Sequence, residues 1–203
     1  DADIVSIVSE QFYKDRNEEH KHLSFDECEY LYSGSFFYEQ LALFDGLMLH
    51  SSCIEYKGKA YLFSAPSGTG KSTHTHLWLK YLEGCRIIND DKPAIRIVDD
   101  KIKVYGTPWS GKTDFNKNTG VPVQGICFLS RSEENHIKRL DKKSAVFHIL
   151  NQTIRPNKEA SMDVLLGHID ALISKTAVYE MGCNMSPDAA FTSYNEMSKD
   201  EEI

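Results

Sequence analysis

The stretch Ser64-Ala65-Pro66-Ser67-Gly68-Thr69-Gly70-Lys71-Ser72-Thr73 decides how the rest of the chain is read. A phosphate-binding loop opens on Gly, runs through four residues of any type and closes on Gly-Lys-Ser/Thr. Here the closing Gly70-Lys71-Ser72 is present, and Ala65 stands at the opening position. Such a loop works because successive backbone N–H groups point inward and the following helix presents its positive end. Glycine is needed where φ is positive or where a Cβ would strike a phosphate, and Gly68 and Gly70 keep that role. Ala65, at the end of a strand, loses only some conformational freedom. Lys71 supplies a point charge for the β- and γ-phosphates, and the Ser72 hydroxyl can ligate Mg²⁺. Ser67, Thr69 and Thr73 are counted with them as nucleotide-binding residues. A plain Gly/Ser turn with a surface lysine is the alternative, and the flanking strand and helix patterns speak against it.

Outward from this loop, "SSCIEY" and "KAYLFS" flank Lys57-Gly58 and predict a β-hairpin whose second strand feeds the loop. "KSTHTHLWLKYLEG" predicts a helix, with Gly84 where a left-handed residue commonly ends one. "CRIIN" is a short buried strand ending at Asp90-Asp91, "AIRIV" and "KIKVY" bracket Asp99-Asp100 as a second hairpin, and "VQGICFLS" is a later strand. Upstream, Phe36–Leu49 is strongly apolar and reads as a helix packed on the core. Downstream of Asp141, two segments with three- and four-residue apolar spacing predict helices separated by Pro156. "AVYEMGC" fits a final strand, and Pro187-Asp188 opens a last helix. Residues 1–35 are polar and mixed, and "KDRNEEHKH" reads as a solvated face. The whole predicts one domain over 1–203, an α/β core on a mixed β-sheet over about 36–130 and a helical C-terminal part over about 141–203.

Asp90 and Asp91 follow Lys71 by 19 and 20 residues, where a neighbouring strand would deliver them to the phosphate end of the site. Adjacent carboxylates suit two tasks: one holds Mg²⁺ or its waters, and the other accepts the proton of an attacking hydroxyl. "NDDKP" is also good turn chemistry, but after a phosphate loop the functional reading is favoured.

"LHSSCIEYKGKAYLFSAPSGTGKST…CRIINDD" resembles the catalytic domain of HPr kinase/phosphorylase, a family that shares its nucleotide-binding core with the ATP-dependent phosphoenolpyruvate carboxykinases. The likeness covers about residues 49–105. His50 fills the family's histidine ahead of the loop, Ser67, Gly68, Gly70, Lys71 and Ser72 fill the loop, and Asp90 and Asp91 fill its acidic pair, while Ala65 replaces its first glycine. The resemblance implies ATP and Mg²⁺ as cofactors and a serine hydroxyl as acceptor. It implies a catalytic carboxylate, assigned to Asp90, with Asp91 and Ser72 at the metal; the exchanged assignment of the two aspartates stays open. His50 would sit near the transferred phosphoryl group or orient the base, and a homo-oligomer is favoured. In place of the family's Gly-rich segment and substrate loop stands "YGTPWSGKTDFNKNTG" (Tyr105–Gly120). There Lys112 or Lys117 could neutralise charge and Trp109 could cover a base or a substrate, or the segment is an ordinary exposed loop. The chain resembles the shorter HPr-kinase-like proteins, some of which act on other peptides or small hydroxyl compounds.

Among the remaining residues, His74 and His76 point about 200° apart on a helix and do not share a metal. His74 reads as a nucleotide-edge or surface residue, and Trp78, Leu77 and Leu82 as core. Arg131 and Arg139 flank a charged segment that reads mainly as solvated. Asn89 reads as a strand terminator. A net charge of −7 disfavours nucleic acid and anionic membranes as partners. Five scattered cysteines without a CxxC argue against disulfides and cysteine-zinc sites and for a reducing cytoplasm. No apolar run approaches the roughly 20 residues that span a bilayer. The sequence opens on Asp1 rather than Met, which leaves a trimmed start and a lost leader both open. The expected activity is an ATP- and Mg²⁺-dependent kinase acting on a serine in a protein or peptide. A small-molecule hydroxyl kinase and a nucleotide-sensing module without catalysis are the alternatives. Carboxykinase activity would need a longer chain.

Overall fold

In the computed structural model, which describes residues 10–11, 13–14, 23–156 and 159–199, the chain divides into two units, residues 1–40 and 41–203. The charged run over 15–22 lies outside the described residues. Helix α1 (Phe25–Leu41) starts on a capping box: Ser24 N–H donates to Glu27 Oε2 at 2.7 Å and Glu27 N–H to Ser24 Oγ at 3.2 Å. The helix expected over Phe36–Leu49 is therefore corrected. It begins earlier, stops at Leu41, and a 3₁₀ turn (Ala42–Phe44) and a left-handed Asp45 (φ 54°) follow. The apolar "GLM" then pairs as strand β1 (Gly46–Met48). A short apolar run buried on both sides carries no periodicity that separates strand from helix.

Strands β2 (Ser51–Tyr56) and β3 (Lys59–Ser64) form the predicted hairpin, with Tyr56 opposite Lys59. Lys57 and Gly58 both have positive φ, 51° and 77°, which matches the right-handed twist of the flanking strands. Asp99 and Asp100 turn the same way between β5 (Ala94–Val98) and β6 (Lys101–Tyr105). Strand β4 (Arg86–Asn89) pairs antiparallel with β2. Strand β7 (Gly120–Arg131) first runs antiparallel to β6, then parallel to β3 on one side and to β9 (Ala177–Cys183) on the other. "HIKR", read from the sequence as a solvated charged segment, is an edge strand, β8 (His136–Arg139), on β9. Among the described residues the sheet has nine strands in the order β1-β5-β6-β7-β3-β2-β4, with β9 and β8 beside the second half of β7.

Each face of this mixed sheet buries helices. Helices α2 (Lys71–Tyr81) and α5 (Asp188–Met197) cover one face through Trp78, Ala190 and Met197, packed on Tyr61, Phe63 and Tyr179. Helices α3 (Lys142–Asn151) and α4 (Glu159–Lys175) cover the other through Ile149, Leu165, Ile169 and Leu172 on Leu62, Ile126 and Val178. Each large apolar side chain among these contributes about 1.5–3 kcal/mol by leaving water. The fully buried Trp78 keeps its polar edge satisfied, since Nε1–H donates to Ser193 Oγ at 2.9 Å. Helix α2 closes at Tyr81, and Gly84 (φ 92°) turns the chain three residues later. Among the described residues no helix is long and apolar enough to cross a membrane.

Topology sets where chemistry can gather. Strands β3, β7 and β9 run the same way; β7 and β9 end together at Arg131 and Cys183, and β3 ends at Ser64 opposite Phe128, three residues earlier on β7. Antiparallel β2 starts at that edge, just after His50, and the end of β4 at Asn89 pairs with Cys53 close to it. Open sheets bind ligands outside the carboxyl ends of their parallel strands.

Candidate functional site

The 65–70 loop leaves β3 and enters α2 directly. Gly68 and Gly70 have φ of 76° and 122°, and a Cβ on either would meet nothing within 4 Å. Backbone conformation, not crowding, is what requires glycine at both places. Gly70 is the N-terminal boundary of α2 and no side chain caps it. Lys71, nearly buried, is folded back over its own loop. Its Nζ donates to Ala65 O at 3.0 Å and lies 3.0 Å from His50 Nε2. Burial lowers its pKa, and the Asp91 and Asp90 carboxylates offset part of that shift.

The acidic pair is divided between two sets of partners. Asp90 is buried, and its Oδ1 accepts from Ser52 Oγ at 2.6 Å. Its Oδ2 lies 3.4 Å from Ser72 Oγ and 3.2 Å from Thr113 Oγ1, both donors to it. Asp91 instead meets His50 Nε2 at 3.1 Å and Lys92 Nζ at 2.7 Å. Burial works to raise its carboxyl, but the hydrogen bonds and charges of His50 and Lys92 outweigh burial and hold it down at about 2. His50 is fixed from behind by Gln152: its N–H donates to Gln152 O at 2.7 Å and Nδ1 lies 3.1 Å from Gln152 Oε1. Its Nε2 faces both an ammonium, which only donates, and a carboxylate, which only accepts. One neutral tautomer satisfies one of these neighbours, not both.

Asn89 organises the turn that presents the pair. Its Oδ1 accepts from Asp91 N–H at 2.9 Å and Lys92 N–H at 2.7 Å, and its Nδ2 donates to Thr107 O at 2.9 Å. The segment 106–119 is tied to the same strand, with Lys117 N–H donating to Ile88 O at 2.9 Å and Thr107 Oγ1 to Lys92 O at 2.7 Å. It folds Gly111 against Asp91, where a Cβ would come within 2.9 Å of the aspartate Cβ.

Between these walls lies a cavity of about 550 Å³. Of the residues predicted from sequence, His50, Ser67, Gly68, Gly70, Lys71, Ser72, Thr73, Asp90, Asp91 and Lys112 line it. Thr69 lines a second cavity of about 460 Å³ on the α2 side of the loop. Trp109 lines neither; it is half-buried, and its carbonyl lies 3.5 Å from Asn89 Nδ2. His74 is buried rather than on the surface, borders the second cavity, and has Nε2 3.0 Å from Ser193 Oγ while Nδ1 has no partner. Arg131 borders it too, with Nη2 donating to Gly68 O at 2.7 Å. Ser52, Thr113, Lys92, Gln152 and the organising role of Asn89 were not singled out in the sequence. For Asn89 the signal was present, a short amide before a two-residue turn; the others meet the site only through distant pairing. Among the described residues no group of three or more His, Cys, Asp and Glu side chains is arranged to hold a metal.

Fold and cavity together define a mixed α/β protein with a lysine, a hydroxyl and two carboxylates converging at the strand ends. The family described as SynChlorMet cassette protein ScmC matches residues 31–187, and the chain belongs to that family. No curated protein matches the sequence. Among solved structures the chain is similar to the HPr(Ser) kinase/phosphatase from Coxiella burnetii, with 11% identity, 76% of this chain and 98% of that chain covered, and a TM-score of 0.45.

Proposed function

We propose that the protein is an ATP- and Mg²⁺-dependent phosphotransferase whose acceptor is an alcohol, a serine hydroxyl in a protein or peptide. The observation that carries this reading is the shared cavity, in which Lys71 and Ser72 of the loop face Asp90 and Asp91. Phosphates would lie along the 65–70 backbone at the start of α2. The nucleoside would fill the second cavity, where Met185 offers an exposed apolar surface.

The donors present fit a hard cation. Ser72 Oγ and the Asp90 carboxylate are oxygens 3.4 Å apart, and magnesium held by one or two protein oxygens takes the rest of its shell from water and phosphate. When bound, the ion would neutralise phosphate charge. Lys71 would leave His50 for the β- and γ-phosphates, freeing His50 Nε2 to serve Asp91 alone. In the transfer, a bond forms between the acceptor oxygen and Pγ as the bond from Pγ to its bridging oxygen breaks. ADP keeps that electron pair, and the hydroxyl proton passes to a carboxylate. The contact with Ser72 puts Asp90 on the cation side, which leaves Asp91, beside His50, as that base. This reverses the assignment drawn from the sequence.

The test is mass spectrometry of a fractionated cell extract incubated with the protein, ATP and Mg²⁺, with Asp91→Asn and Asp90→Asn as controls. A peptide that gains one phosphoryl group with wild type and not with Asp91→Asn supports the reading in full. A metabolite gaining it moves the acceptor to the small-molecule class. ATP binding without any acceptor gaining mass makes the protein a nucleotide sensor.

A further inference from the structure

A third cavity, of about 400 Å³, opens on the α3 side of the loop, opposite the α2-side cavity. It adjoins the central one through consecutive residues: Pro66 lines the third cavity and Ser67 the central one. The two also share the pair formed by Gln152, which lines the third, and His50, which lines the central cavity and is held by Gln152 at both its N–H and its ring. A molecule seated there lies beside the positioned histidine, not beside the nucleoside.

The lining has a definite chemistry. Phe128 is buried beneath it, with the His148 ring 4.9 Å away at 36°. Phe147 stands at the rim 66% exposed, a large apolar side chain left in water. Among the described residues Glu180, paired with Phe128 across β7 and β9, is the only Asp, Glu, Lys or Arg side chain in the lining. Its carboxylate is held from outside by Lys138 at 2.7 Å, whose side chain is 70% exposed. Among the described residues no Lys or Arg lines the cavity, in contrast to the central one with Lys71 and Lys112. A small anionic metabolite would need such fixed cations; an apolar side chain next to a positive charge needs an aromatic floor and one exchangeable carboxylate.

Resting on the kinase reading above, we propose that this cavity is the acceptor subsite. It takes a peptide whose serine is flanked by an apolar residue, bound against Phe128 and Phe147, and by a lysine or arginine, bound by Glu180 in place of Lys138. An extended peptide advances about 3.3 Å per residue, so its neighbouring residues occupy this cavity while the serine enters the central one.

The experiment uses the full chain, a fluorescent ATP analogue for binding, and radiolabelled ATP with Mg²⁺ on serine peptide mixtures in which one flanking position at a time is fixed. Wild type labels peptides with Phe, Leu or Met and with Lys or Arg near the serine about fivefold more than those with Asp or Glu. Phe147→Ala removes the apolar preference and Glu180→Gln the basic one. Lys138→Ala enlarges the basic preference, because the competing cation is gone. Phe147 stands at the rim, Lys138 on the edge strand β8 and Glu180 on β9 beside it, and analogue binding reports that each variant is folded. Labelling that ignores the flanks, preferences unmoved by Phe147→Ala and Glu180→Gln, or labelling of small hydroxy compounds alone would each overturn the subsite while leaving the kinase standing. Failure of wild type to bind the analogue at all would bring down the kinase reading, and the subsite with it.

Discussion

The two walls of the central cavity are built in opposite ways. The 65–70 wall is nearly bare: its glycines face open space and its lysine bends back onto its own loop. The 106–119 wall is stitched down by Asn89, Thr107, Ser110 and Asn116 and packs Gly111 directly on Asp91. The bare wall spends carbonyls on side chains, Ala65 O on Lys71 and Gly68 O on Arg131, whereas a wall shaped to hold side chains uses its polar groups internally. The carboxylates stand on the stitched wall, and the groups they are read to serve stand on the bare one.

The strongest way to break this contrast is Lys71→Ala. It removes the bare wall's cation and should cut turnover by about 10²–10³-fold, the range for a lost transition-state donor, with nucleotide affinity falling alongside. Calorimetry with ATP checks it, and unchanged affinity would show that the wall receives no phosphate. Next comes the stitched wall. Asp91→Asn should lower turnover by about 10²-fold with nucleotide affinity kept, while Asp90→Asn should move the Mg²⁺ dependence to higher concentration. The opposite outcome restores Asp90 as the base.

Two stability measurements sharpen the comparison. Behind the bare wall, burial depresses the imidazole of His74 to about 4. With a folded value below the ordinary 6.5, the unfolded chain binds a proton that the folded one refuses. The contribution is therefore complete above pH 6.5 and declines as pH falls toward 4, by about 3 kcal/mol in all. Urea unfolding at pH 7 and pH 4.5 should show that decline, and His74→Gln should lack its share; an equal slope in the variant removes His74 from the account. On the stitched wall, Asn89→Ala strands two N–H groups and a carbonyl in a half-buried turn and should cost about 2 kcal/mol. Proteolysis should then cut within 106–119 sooner than in wild type.

What could be read from the sequence follows the same division. Lys71, Ser72 and the glycines are neighbours in the chain, and their spacing is itself the arrangement, so the bare wall was legible. Both hairpins were legible because two turn residues and matched strands suffice to specify them. The partners of the acidic pair were not. Ser52 reaches Asp90 because β2 and β4 pair, Thr113 because a loop folds back, and Gln152 reaches His50 from the end of α3. No local pattern carries such contacts. The edge strand "HIKR" was missed for a simpler reason: it is almost wholly exposed, so the apolar alternation that marks strands is absent.

The smallest expected effect decides what braces the bare wall. Arg131 holds the carbonyl of Gly68 from the second cavity and does not line the central one. It should therefore shape the loop rather than touch the phosphoryl group in flight. An exposed contact of this kind is modest, so Arg131→Ala should weaken nucleotide binding about threefold and leave turnover at saturating ATP unchanged. A guanidinium acting on the transition state would instead cost about 10²-fold or more in turnover. Steady-state kinetics over a range of ATP concentrations separates the two, because a brace moves KM and a transition-state donor moves kcat.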